Sequence, residues 1–397
     1  MIIRLWLRAI VWVVVAAAAT GADAQFFEAF DARELSFDPS GVDGWSFFAG
    51  DGKATMDLRA TGEGHAAIFV DATDDERNIW WALIKHQVSD GMNLELLRRK
   101  GWELRVETRI RTSHAPRRVN LHVNTQRTTD FHSHLMEFDI PVAESWHTIS
   151  MTTRDFPVEP GDSISAQMAL MDWGRGRYRV DVDYLKVDVV EAGRVGPDLG
   201  EPLPYHPPVA DPAIFEHAIP VTESAVIDLA NRDVNLGGWS VLDGAVRKDL
   251  LTVNGTMWVI LRWDLGAFAD RRVADHGLLE LTTHSVERNA VESKDNGLVR
   301  VVEILGGDPS WDRKTVTFDS LLRRGAIDDV LNPQMIIDWP VTEGEGERTR
   351  FTISRPVLQR LIDGRTLGLA VTPLGSLNAS FSAAGGEAPR LLFDIEE

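Results

Sequence analysis

The sequence predicts an all-β protein: two antiparallel β-sandwich domains, jelly-roll-like, joined by a Pro-rich linker. Three observations carry that prediction. Apolar and polar residues alternate with a period of two over long stretches, as in Trp102, Leu104, Val106 and Ile110 against Glu103, Arg105, Glu107 and Arg109. Turn signals such as Ala115-Pro116, Glu159-Pro160-Gly161-Asp162 and Trp173-Gly174-Arg175-Gly176 cut these runs into short, evenly spaced strands. Helical patterning is confined to two short pieces, near Leu94–Arg99 and at Ser354–Ile362.

Taken in chain order, residues 1–24 read as a cleaved secretory leader. Arg4 and Arg8 give a charged start, Ala9 to Thr20 an apolar run, and Ala22-Asp23-Ala24 a small-x-small cleavage pattern. The apolar run is about half the roughly 20 residues that a membrane-spanning helix requires. Export, periplasmic or extracellular, is therefore expected, with no membrane span.

Residues 25–192 form the first expected sandwich. Its strands include Trp102 to Arg111, Val119 to Gln126, Trp146 to Thr152, Ile164 to Met171 and Tyr178 to Val190. Residues 193–212 begin a segment in which seven prolines fall between Ala192 and Pro220, a density that suits a semi-rigid linker or an extended strap. Residues 213–397 form the second sandwich, with strands at Met257–Leu265, Gly277–Thr283, Val299–Leu305, Arg350–Ile353 and Leu367–Thr372. The Ser354–Ile362 helix has Ser354 as N-cap, Pro356 in its first turn and Asp363-Gly364 as its stop.

The chain of 397 residues has no cysteine, so disulfides, a thiol nucleophile and Cys-ligated zinc are excluded. A formal net charge of −19 makes nucleic acid an unsuitable partner. Between Arg98 and Arg127, however, nine Lys/Arg stand against two Glu. Such an island suits an anionic ligand, a uronic-acid or sulfated glycan, or else simply the charged outer faces of strands.

The functional signal is the run Val119 to Ile140. Val119, Leu121 and Val123 alternate with Asn120, His122, Asn124 and Gln126, and Glu137 and Asp139 follow on the next strand. Amides, imidazoles and carboxylates both give and take hydrogen bonds, the chemistry that grips a hydroxyl-rich ligand. Trp80, Trp81 and Trp173 are candidate flat surfaces for sugar stacking. With Arg127, these residues make a candidate polysaccharide site on the concave sheet. A self-satisfied cross-strand network remains the alternative. His132-x-His134 has the spacing of a two-imidazole metal chelate, though its parity with Met136 and Phe138 also allows burial.

The first domain resembles the galactose-binding-like carbohydrate-binding modules of the family 4, 9 and 22 group. Phe27-Glu28, Asp43-Gly44-Trp45 and the closing strand Tyr178-Arg-Val-Asp-Val-Asp183-Tyr-Leu-Lys-Val-Asp188 carry the likeness. It implies sugar binding and a structural calcium, Ca2+, at Glu28 and Asp183. The second domain resembles the DNRLRE group of β-sandwich modules. Here the carrying residues are Trp258-Val-Ile-Leu-Arg262-Trp263-Asp264-Leu265, Gly277 to Leu281, Trp311, Thr315 to Phe318 and Leu367-Gly368-Leu369.

Polysaccharide binding without cleavage is the leading expectation. A polysaccharide lyase acting on a uronate glycan by β-elimination is the alternative, with His122, His134, Tyr178, Asn124, Gln126 and Arg127 as its catalytic set. A non-catalytic cell-surface or matrix scaffold is the third reading.

Overall fold

The structure, a computed structural model, describes residues 25–50, 52–76, 81–203, 208–237, 239–242, 245–288 and 297–397. The expected leader and Trp80 lie outside the described residues. Among the described residues, no helix is long and apolar enough to cross a membrane.

The protein is all-β. The N-terminal strands are β1 (Phe26–Glu28), β2 (Ser46–Phe48), β3 (Thr55–Ala60), β4 (Ala66–Asp71), β5 (Trp81–Gln87) and β6 (Trp102–Thr112). They continue as β7 (Arg117–Thr125), β8 (Leu135–Ile140), β9 (Trp146–Thr152), β10 (Ile164–Met171), β11 (Arg177–Glu191) and β12 (Glu201–Leu203). One sheet has the order β3-β4-β11-β6-β9, with β1 on β11, and the other β12-β8-β7-β10-β5-β2. The strand pairings are antiparallel throughout.

Alternation decides which face is core. In the second sheet Val119, Leu121 and Val123 of β7, Ala166, Met168 and Leu170 of β10 and Phe138 and Ile140 of β8 point inward. They meet Leu104, Val106 and Ile110 of β6 and Val180, Val182 and Val187 of β11 across the sandwich. Each fully buried side chain of this size contributes about 1.5–3 kcal/mol by leaving water. A bulge between Val182 and Tyr184 shifts the register of β11, so Val182 and Leu185 both face the core while Asp183 stays outside.

The C-terminal strands are β13 (His217–Pro220), β14 (Glu223–Asp228), β15 (Trp239–Leu242), β16 (Ala245–Lys248), β17 (Leu250–Val253), β18 (Met257–Arg262) and β19 (Gly277–Arg288). After them come β20 (Gly297–Ile304), β21 (Leu331–Pro340), β22 (Arg348–Ile353), β23 (Gly368–Gly375), β24 (Leu377–Ser382) and β25 (Arg390–Phe393). They build one sheet in the order β13-β25-β19-β24-β17, with β22 on β19, a second in the order β14-β18-β23-β20-β21, and a two-stranded β15-β16 pair. The helices are α1 (Leu94–Leu97), α2 (Phe318–Leu322), α3 (Ile327–Val330) and α4 (Arg355–Ile362). Trp311, Phe318 and Leu321 cover the outer face of the second C-terminal sheet, so its strands are apolar on both sides.

The segment expected to be a Pro-rich linker is partly built into the first sandwich. Glu201–Leu203 pairs with Asp139–Glu137 as an edge strand. Pro202 is compatible with that position because an edge strand presents one side to no partner, where a missing N–H costs nothing. The turn after β10 also docks onto the C-terminal half. Gly174 has φ +98°, and the Arg175 N–H donates to Asp328 at 3.0 Å. A Cβ on Gly174 would lie 2.8 Å from the Tyr178 hydroxyl oxygen and 2.9 Å from Pro333 Cγ, so backbone approach there requires glycine.

Candidate functional site

The outward face of the β12-β8-β7-β10-β5-β2 sheet carries the predicted polar ladder, and the fold divides it in two. Asn120 stands opposite Glu137, while His122 and Asn124 stand opposite Gln167 and Ser165 of β10. Gln167 and Ser165 in turn face Lys85 and Gln87 of β5.

One half is open. A groove of about 520 Å³ has Leu83, Lys85, Gln87, Asn124, Ser165 and Gln167 on its floor. Trp81 and Phe48 pack at one side with ring centroids 5.0 Å apart, and Phe131 lies on the β7–β8 loop at the other. Phe48 and Phe131 are about half exposed, at 50% and 55%. Among the described residues the side chains of Asn124, Gln167, Ser165 and Lys85 have no hydrogen-bond or ion-pair partner in the protein. The floor thus presents donors and acceptors for an incoming polar ligand, beneath apolar rings.

The other half is sealed by the C-terminal sandwich. Arg118 is buried against Glu137 at 3.0 Å, its backbone N–H donates to Gln334 and its guanidinium to the Met335 carbonyl. Asn120, fully buried, donates to Glu137 at 3.3 Å. Asp139 meets Arg360 of α4 at 2.5 Å, and Arg360 reaches on to Glu303 at 2.8 Å. Arg300 joins Asp172 at 3.4 Å to Asp338 at 2.7 Å. Burial works to lower the Arg360 guanidinium, but Glu303 and Asp139 outweigh it and hold it above its ordinary value. Asn120, Glu137 and Asp139 are therefore interface residues and do not reach the groove.

His122 sits between the two halves. It is 8% exposed, and its Nε2 has no hydrogen-bond partner among the described residues. Burial pushes its pKa down to about 4, with His132 adding repulsion.

The other expected binding residues are held within the protein. Gln126 donates to Asp162 at 2.9 Å and accepts from the Ser163 N–H at 2.9 Å, and Arg127 grips Asp162 at 2.6 Å. Both clamp a neighbouring loop, although Gln126 still borders the groove. Trp173 is fully buried and donates its indole N–H to the Arg118 carbonyl at 2.7 Å, so it is core and no stacking platform. Much of the cationic island is paired: Arg105 with Asp198, Arg109 with Asp183, Arg111 with Asp181, Arg118 with Glu137 and Arg127 with Asp162.

The lyase set does not converge. Tyr178 belongs to β11 in the opposite sheet, faces the core, and burial pushes its pKa up to about 12. His134 packs edge-on against Phe156, with centroids 4.8 Å apart, and its pKa is lowered by burial. His132 lies on the loop near Asp130. Among the described residues no cluster of three His, Asp or Glu could hold a metal ion. Of the expected calcium pair, Asp183 is bound to Arg109 at 2.8 Å and Glu28 accepts the Phe30 N–H at 2.8 Å.

Sequence reasoning missed Phe48, Lys85, Gln87, Ser165, Gln167 and Phe131. The period-two alternation of β5 and β10 marks the four polar ones. Phe131, on a loop, carries no periodic signal.

No family model matches the chain, and no curated protein does. Solved structures similar to parts or most of it include the following three. A CBM4 structure has 12% identity and a TM-score of 0.30, covering 41% of this chain and 97% of its own. The CBM22-2 xylan-binding domain from Paenibacillus barcinonensis has 13% identity and a TM-score of 0.28, covering 42% of this chain and 100% of its own. The CBM22-1–CBM22-2 tandem domain from the same organism has 12% identity and a TM-score of 0.28, covering 96% of this chain and 99% of its own.

Proposed function

We propose that the protein is an exported saccharide-binding protein whose groove on the outer face of the N-terminal sandwich takes a short segment or an end of a polysaccharide. The carrying observation is the unpartnered polar floor of Asn124, Gln167, Ser165 and Lys85 lying between the Trp81–Phe48 pair and Phe131. The floor crosses β2, β5, β10 and β7, three inter-strand spacings or about 14 Å.

One cation, Lys85, stands among the described groove residues, so the groove favours a neutral glycan over the uronic-acid or sulfated one read from the sequence. Binding without cleavage is the reading taken here; among the described residues Tyr178 and His134 of the expected lyase set are packed elsewhere. The C-terminal sandwich is an accessory that covers and braces the first. Its two motif segments meet where Arg262 lies over the Trp311 ring at 5.2 Å. The leader-like residues 1–24 support export.

The test is retardation of the mature chain in native gels containing one of a panel of neutral, uronate and sulfated polysaccharides. Retardation by at least one neutral polymer, relieved by Trp81→Ala, is the expected result. No retardation by any polymer at millimolar sugar, or retardation unchanged by Trp81→Ala, would sink it. Ultraviolet-absorbing unsaturated ends formed from a uronate polymer would restore the lyase.

A further inference from the structure

A second cavity of about 470 Å³ lies where the two sandwiches meet, on the far side of the sealed ladder from the groove. Pro141, Val142 and Glu201 of the N-terminal half face Arg271, Arg272 and Arg355 of the C-terminal half across it. Its construction differs from that of the groove. Arg355 Nη2 donates to both Glu201 carboxylate oxygens, at 2.9 and 3.0 Å, and joins the two halves at the rim. Asp139 and Arg360 close the floor at 2.5 Å, and Arg365 is paired with Asp363 at 2.8 Å.

Two guanidinium groups of the lining remain without a carboxylate. Arg271 donates only to the backbone carbonyl of Glu396, at 3.2 Å, and Arg272 has no side-chain partner among the described residues. One lining carboxylate, Asp270, is likewise unpaired among the described residues. Arg271 and Arg272 are adjacent and exposed in a chain of net charge −19, whereas Arg105, Arg109, Arg111, Arg118 and Arg127 of the former cationic island each have a carboxylate. Guanidinium forks match the oxygens of a carboxylate or sulfate ester and bind them bidentately. Pro141 and Val142, the latter 46% exposed, provide an apolar shelf beside them. A saccharide bearing an oxyanion needs that combination, a charged fork for the anion and an apolar ledge for the ring's C–H face.

We propose that this inter-sandwich cleft is a second ligand site, taking a carboxylate- or sulfate-bearing saccharide through Arg271 and Arg272. It stands independently of the neutral-glycan groove, since no residue is shared between the two linings. The anionic preference read from residues 98–127 would then belong to a different part of the chain.

The experiment is calorimetric titration of the full mature chain with a uronate oligosaccharide, a sulfated oligosaccharide and a neutral one of equal length. Arg271→Ala/Arg272→Ala and Trp81→Ala are run in parallel. The double substitution is expected to weaken the acidic ligand at least tenfold, to leave the melting temperature unchanged because both side chains are exposed, and to leave the neutral ligand unaffected. Trp81→Ala is expected to leave the acidic ligand unaffected. Affinity for the acidic ligand should also fall as salt rises from 0.05 to about 0.5 M, as screening shortens the reach of the charges. Preference between the uronate and sulfated arms names the oxyanion. Failure of both acidic ligands to bind at millimolar concentration, or equal binding to the double variant, overturns the proposal. Loss of both acidic and neutral binding only on Trp81→Ala would assign everything to the groove and overturn it as well.

Discussion

Asn124 and Asn120 lie four residues apart on the same face of β7, and they do opposite things. Asn124 opens onto the groove with its amide unpartnered, beside Ser165 and Gln87. Asn120 is fully buried, bonded to Glu137, and covered by a network that reaches Arg360 through Asp139. The difference arises from long-range packing, since Asp139 and Arg360 are 221 residues apart in sequence. A polar row on a strand says that something must satisfy it. Whether that something is a ligand or another domain depends on what the rest of the chain lays across it.

The comparison breaks most visibly if the sealed half is opened. Arg360→Ala leaves Asp139 and Glu303 buried without their cation, and removing one partner of a buried pair costs about 3–5 kcal/mol. Chemical denaturation should show a loss of that order, with groove affinity unchanged in the fraction that remains folded. A loss below about 1 kcal/mol would mean that the interface is held by its apolar contacts alone.

His122, at the boundary, offers a smaller effect with a sign. Its folded pKa of about 4 lies below the ordinary 6.5, so the unfolded chain binds more protons between those values and its neutral form stabilises the fold. That stabilisation is fully present above pH 6.5 and is lost as pH falls from about 6.5 to 4. The integrated loss is on the order of 3 kcal/mol. Denaturation of the parent chain and of His122→Gln across this range should give stability curves that converge or cross as pH drops. Parallel curves would place His122 in contact with water.

Much of the fold was legible. The strands follow from period-two alternation, and α4 from Pro356 in its first turn and the Asp363-Gly364 stop. The short helix α2 was not. Its capping box pairs Thr317 with Ser320 in place of the usual Glu or Gln, and its five residues hold too little pattern to register. The edge strand β12 was hidden by Pro202, which sequence reasoning assigns to a linker. Of the groove residues, Asn124 stands out in the sequence by its alternation and Trp81 only as one of two adjacent tryptophans. Trp173 was misjudged because a Gly-flanked turn reads as surface, whereas this turn folds its indole back into the core. The arginines of 98–127 left two readings open, an anionic ligand or charged outer faces; Arg105, Arg109, Arg111, Arg118 and Arg127 meet carboxylates distant in the sequence, which could not be paired from it, and Arg117 and Arg118 are buried.

The central claim is that the ladder is split into a ligand-facing half and a structural half, and paired asparagine substitutions test it most directly. Affinity for the best neutral oligosaccharide and unfolding free energy would be measured on Asn124→Ala and Asn120→Ala. Asn124→Ala should weaken binding about tenfold, the loss of roughly 1.4 kcal/mol expected for hydrogen bonds made only to ligand, with stability nearly unchanged. Asn120→Ala should lower stability by about 1–3 kcal/mol, through the donor Glu137 loses, and leave affinity as it was. The reverse pattern, or two variants that behave alike in both measurements, would contradict the account.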